Sequence, residues 1–185
     1  MKTEHSKFVA LLRGINVGGK NLIAKEELRQ SFEALGFSNV RTYIQSGNIL
    51  FRSNKTSTKA LTKTIEQGLS ARFDYAARAV ILPDQHYKQA VHSAPDGWGN
   101  DDTKKHNALF IMGNLTPGDV MAALPSPKAN IETVTCGLNV VFWSISRESL
   151  TKSIFMKLPA NPIYQEVTIR NHNTVLKLLR LFDEI

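Results

Sequence analysis

The chain has 185 residues, 42% apolar and 21% charged, with a net charge of +7 and a pI of about 9.6. That length and balance describe one ordinary domain or two small ones and exclude a disordered segment. No apolar run approaches the roughly 20 residues of a membrane helix, and the opening "MKTEHSKFVALLRG" has neither the apolar core of a signal peptide nor the character of a transit peptide, so the expected location is the cytoplasm, with no membrane partner.

The single cysteine, Cys136, forms no internal bridge and no thiolate metal cluster, and is expected to be packed in a reducing compartment. The charge is uneven. From Met1 to Ser93 there are fourteen Lys and Arg against seven Asp and Glu, and from Ala94 to Ile185 nine against nine. A basic first half suits an acidic partner, either an anionic small molecule or weakly held nucleic acid.

Taken in order, "KFVALLRG" (Lys7–Gly14) is an almost unbroken apolar run, the pattern of a strand buried on both faces. "AKEELRQSFEALGF" spaces Leu28, Phe32 and Leu35 as on a helix and ends on Gly36, a residue suited to a left-handed cap. "NVRTYIQSGNILFRS" reads as a hairpin, Asn39–Gln45 and Asn48–Arg52 about Ser46-Gly47. Leu61, Ile65 and Leu69 mark a second helix over Ser57–Arg72, and "ARAVILP" a strand stopped by Pro83. A short helix over Asp84–Ser93 presents Tyr87, Ala90 and Val91.

"APDGWGNDDTKK" (Ala94–Lys105) has the composition of a linker. Beyond it the plan repeats: the strand "HNALFIMG", the helix "LTPGDVMAAL", two strands in "IETVTCGLNVVFWSIS", a helix in "RESLTKSIFMKL", the strand "YQEVTIRN", and a terminal helix with Val175, Leu178, Leu179 and Phe182 on one stripe. The expected fold is α+β: two ferredoxin-like halves of strand–helix–strand–strand–helix–strand order, residues 1–93 and 106–185, with residues 94–105 between them.

"GINVGGKN" (Gly14–Asn21) comes within one letter of a phosphate loop, failing at Asn21 where a hydroxyl would hold magnesium. A phosphate loop also joins a parallel-sheet strand directly to its helix, whereas here about four residues follow Lys20 first, so nucleotide hydrolysis is not expected. In a ferredoxin-like order the first two strands are parallel and finish at one end of the sheet. The loop Arg13–Asn21 and the turn Gln45–Asn48 therefore converge, bringing polar side chains and bare glycine N–H groups together for an anion or polar ligand. Turn geometry alone explains the same residues.

"LLRGINVGGKN", "TYIQSGNILF" and "TIRNHNTVLKL" resemble, in this spacing and over nearly the whole chain, the signature segments of the bacterial domain of unknown function 1697 family. The resemblance implies a small cytoplasmic α+β protein with no established activity. Its motif residues fall at Arg13, Gly14, Asn16, Gly18, Gly19, Ser46, Gly47, Asn48, Arg170, Asn171 and Thr174. All of these except Gly14 form the expected ligand-binding set.

In the third segment Asn171, Asn173 or Thr174 also suits a helix cap, and His172 beside them is expected to be solvated. No metal or cofactor is expected, since His5, His86, His92 and His106 lack ligand-like spacing. No nucleophile with an assignable base is legible. Three classes stay open: a binding protein for an anionic or polar small ligand, a weak nucleic-acid-binding module, and an enzyme using the same Arg/Asn/Ser cluster.

Overall fold

A computed structural model describes residues 5–16, 21–44 and 47–185; the expected site residues Gly18, Gly19 and Ser46 lie outside them. The chain divides into two compact units, 1–88 with 178–185, and 89–177. The division falls at Lys88–Gln89, ahead of the Pro/Gly-rich segment, and returns the end of the chain to the first unit. Composition marks where turns lie, whereas the division follows which residues touch.

In the first unit β1 (Ser6–Arg13), α1 (Lys25–Ala34), β2 (Ser38–Tyr43), β3 (Asn48–Ser53), α2 (Thr58–Phe73) and β4 (Arg78–Pro83) appear in the expected order, followed by the start of α3 (Asp84–His92). The sheet runs β2-β3-β1-β4 with every neighbour antiparallel, so β1 and β2 point the same way. Glu27 accepts from the Ala24 N–H at 3.1 Å at the start of α1, and Ser57 Oγ accepts from the Ala60 N–H at 3.3 Å at the start of α2.

One sheet face packs Phe8, Ala10, Leu12, Ile49, Phe51 and Ile81 against Leu28, Phe32, Leu61, Ile65 and Leu69 of the helices. Phe51 sits at its centre, 5.4 Å from Phe32 and 4.6 Å from Phe37 between ring centroids. Val9, Leu11 and Leu50, on the alternate positions, are also fully buried, which is why β1 reads as an unbroken apolar run. At the charged end of that second face, residues 182–185 are held by Lys7 Nζ donating to the Phe182 carbonyl (2.6 Å), Arg52 donating to the Ile185 backbone oxygen (2.8 Å), and an Arg41–Glu184 ion pair. Part of the basic surplus of the first half thus serves its own unit.

The second unit contains β5 (Lys104–Ile111), α4 (Pro117–Ala123), β6 (Glu132–Cys136), β7 (Val140–Ser146), β8 (Val167–Asn171) and the first residues of α5 (His172–Leu181). Its antiparallel sheet runs β6-β7-β5-β8, the same order as the first. Leu109, Val141, Trp143 and Ile145 pack with Ile154, Leu158, Ile163 and Val167.

Four expectations are corrected here. The helix expected in "RESLTKSIFMKL" is instead a run of 3-10 turns, Leu150–Lys152, Ile154–Ala160 and Pro162–Glu166. Pro159 and Pro162 cannot donate, and Ser153 and Asn161 accept from the N–H groups of Phe155 and Ile163 (3.0 and 2.9 Å), so each turn is capped before an α-helix propagates. Segment 94–105 is packed down: Trp98 meets Phe142 edge-on at 4.9 Å, and Arg147 Nε donates to the Asp102 carbonyl at 2.8 Å. Cys136 is exposed, because it ends the edge strand β6. Over α5 and the 3-10 turn that follows it, the buried apolar stripe is Val175, Leu178, Leu181 and Phe182, with Leu181 in the place assigned to Leu179. Among the described residues no helix is long and apolar enough to cross a membrane.

Candidate functional site

The loop after β1 and the β2–β3 turn do meet. The Leu12 N–H donates to the Gly47 carbonyl at 2.8 Å, and a Cβ on Gly47 would lie 2.8 Å from Leu12 Cβ and 2.9 Å from Ile15. The described polar groups there serve the backbone. Asn16, at φ 52°, donates to the Ile23 carbonyl (3.0 Å) and accepts from the Ile23 N–H (2.8 Å), while Asn21 donates to the Gly14 carbonyl (2.8 Å). Asn48 is buried and donates to the Tyr43 carbonyl at 3.1 Å. Arg13 is half-buried and faces Arg78 across the β1–β4 pair.

Asn16 thus works as a side-chain clamp that closes the ends of its loop. Asn16→Ala removes both bonds and leaves the part-buried Ile23 groups without them, an expected loss of about 1–3 kcal/mol in urea unfolding. An unchanged midpoint would show that the clamp carries no stability.

The third motif belongs to the second unit. Arg170 is buried and donates to Thr168 Oγ1 and to the Ile169 carbonyl, both at 2.8 Å. Asn171 Oδ1 accepts from the Thr174 N–H at 2.9 Å, capping α5, and Thr174 is itself buried. His172 is not the solvated histidine expected. It stands edge-on to His106 at 5.6 Å and to Trp98 at 6.1 Å, and burial, with His106 close by, holds its imidazole below the usual pKa.

A different place in the first unit has the geometry of a binding groove. Because β3 and β4 both run against β1, their last residues meet at its beginning, with Lys7 opposite Arg52 and Phe8 opposite Pro83. There a groove of about 490 Å3 opens, lined by His5, Ser6, Lys7, Arg52, Pro83, Asp84, Gln85 and His86.

Lys7 and Arg52 are half-buried, and among the described residues neither has an Asp or Glu carboxylate within ion-pair distance. Among the described residues the groove holds one acid, Asp84, which is partly neutralised by Lys88 at 3.1 Å. Arg52 Nε and Asp84 Oδ1 are buried at this wall without hydrogen-bond partners. Sequence reasoning followed the strand ends at the glycine loop and passed over the opposite edge. The signal was present in the same antiparallel order, which brings "SKF", "FRS" and "LPD" together.

A family model described as a protein of unknown function (DUF1697) matches residues 5–142. Among solved structures, the conserved bacterial protein SP0830 from Streptococcus pneumoniae resembles this chain with a TM-score of 0.85 at 31% sequence identity, over 97% of this chain and 99% of that one. No protein with a curated description matches.

Proposed function

The chain belongs to the family of unknown function DUF1697, and within it we propose a cytoplasmic protein that binds a small anionic ligand in the groove between Lys7, Arg52 and His86. The observation that carries this is the pair Lys7 and Arg52, opposite one another in the β1–β3 register, half-buried and, among the described residues, without an Asp or Glu in ion-pair distance. Two like charges held side by side out of bulk water repel, and an anion between them relieves that repulsion while taking charge-assisted hydrogen bonds. The size of the groove suits a compact ligand such as a small phosphate ester or polycarboxylate. The free, exposed thiol of Cys136 suits a reducing compartment.

This places the anion at the opposite end of the first sheet from the Gly/Asn cluster, whose described side chains hold their own loops. Titration calorimetry with inorganic phosphate and with citrate tests it. Binding is expected to weaken about tenfold or more in Arg52→Gln, which loses the charge. Arg52 and Lys7 also hold residues 182–185, so His86→Ala provides a variant free of that role, with a smaller loss expected. Absence of any anion binding, or affinities unchanged in both variants, would end the proposal.

A further inference from the structure

The second unit holds a serine paired with a histidine in a fixed geometry. His106 and Ser144 are directly opposite in the β5–β7 register, and His106 Nδ1 lies 2.8 Å from Ser144 Oγ. The other ring nitrogen, Nε2, lies 3.1 Å from the backbone oxygen of Asp101. A carbonyl only accepts, so in the neutral ring Nε2 carries the proton and Nδ1 keeps its lone pair. Nδ1 must then accept from the Ser144 hydroxyl. That is the polarity of a nucleophile hydrogen-bonded to its general base.

The surroundings hold this arrangement in place. Asp101 is anchored by the Thr103 N–H at 3.0 Å and the Lys104 ammonium at 3.1 Å, which fixes the turn that presents its carbonyl to His106. The His106 ring is packed edge-on by Trp98 at 6.1 Å and His172 at 5.6 Å and is only 3% exposed. Ser144 by contrast lines an open cleft of about 260 Å3 with Lys104, Asn130, Ile131, Glu132 and Thr133. Ser144 thus belongs to the wall of the cleft, while its base is buried and is not among the lining residues. Of the polar groups around that cleft, Glu132 is committed to buried hydrogen bonds, and the half-exposed Lys104 ammonium is paired with Asp101 at 3.1 Å.

We propose that Ser144 and His106 form the catalytic pair of a hydrolase acting on short-chain esters in this cleft. Ser144 Oγ attacks the ester carbonyl carbon while its proton passes to His106 Nδ1, and the carbonyl π pair moves onto oxygen. Collapse of that intermediate breaks the carbon–alkoxy bond. The departing alcohol takes the proton from Nδ1 and the acyl group stays on Oγ. Water, deprotonated by the same nitrogen, then attacks the acyl-serine, so the net change is ester plus water to acid plus alcohol. The small volume of the cleft limits the acyl chain.

Reaction of the full chain with diisopropyl fluorophosphate, followed by peptide mass spectrometry, reads the nucleophile directly, and 4-nitrophenyl acetate reads the turnover. One adduct per chain is expected, on the peptide holding Ser144. Ester hydrolysis should fall about 100-fold or more in both Ser144→Ala and His106→Gln, the scale of a lost general base. Ser144→Ala removes a single oxygen from a half-buried strand position, so it tests the pair even if His106→Gln fails to fold. Labelling absent from Ser144, or hydrolysis as fast in Ser144→Ala as in the parent chain, overturns the assignment.

Discussion

Replacement of Glu132 by Ala is expected to cost the second unit about 3–5 kcal/mol, as much as truncating a buried aromatic side chain. Glu132 opens β6 on an edge strand, yet it is buried and accepts from Trp143 Nε1 at 3.0 Å, from the Ile154 N–H at 3.1 Å, from the Lys128 N–H at 3.3 Å and from the Ser153 hydroxyl. It therefore ties β6 to β7 and to the 3-10 turns that replace an α-helix. Removing it orphans the buried donors of Trp143, Ser153 and Ile154, each costing about 1–3 kcal/mol where water does not reach.

Burial pushes the Glu132 carboxyl up, but the hydrogen bonds from Ser153, Ile154, Trp143 and Lys128 outweigh it and hold its pKa below the ordinary value. A depressed native pKa means that this stabilisation is complete above the unfolded value, about 4.3, and is lost as pH falls through the native one. The stability difference between the parent chain and Glu132→Gln should accordingly be large at neutral pH and shrink below about pH 4. Urea unfolding of both chains from pH 7 to pH 3 measures it. A difference independent of pH would show that the carboxylate charge is not what the site holds.

Gly47→Ala is expected to destabilise the first unit by about 2–4 kcal/mol, from two separable causes. Gly47 has φ +70°, a conformation that costs a residue with a Cβ about 1 kcal/mol. The added methyl would also sit 2.8 Å from Leu12 Cβ and 2.9 Å from Ile15, both of them buried side chains with little room to yield. Gly14 is the control. It has φ +73°, but a methyl added there would meet nothing within 4 Å, so Gly14→Ala should cost only the conformational part. Chemical denaturation of the two variants compares them directly. Equal losses would mean that the contact between the β1 loop and the hairpin is slack and that the glycine serves only the turn.

The fate of particular motifs shows how much was legible. The strands Lys7–Gly14 and Asn48–Arg52 and the helix over Ser57–Arg72 announced themselves because their apolar spacing answers to a local rule, period 2, period 3.6 or continuous burial. The Asn171 cap was readable for the same reason, since donor and acceptor are three residues apart. The helix over Arg147–Leu158 was misread because the sequence there has helical spacing while its neighbours decide otherwise: Ser153 and Ile154 turn inward to the Glu132 carboxylate. Local propensity is worth tenths of a kcal/mol per residue, less than the cost of leaving one buried carboxylate unbonded.

The order of the strands, the helices of the first half, and the family were determined by the sequence alone, because they depend on residues within a few positions of one another and on three recognisable segments. The pairing of His106 with Ser144 spans 38 residues, that of Arg52 with Ile185 spans 133, and that of Glu132 with Ile154 spans 22. Only strand register and chain return decide such meetings. A shift of one residue in β5 against β7 would turn His106 to the other face of the sheet and leave the same sequence without a base for its serine.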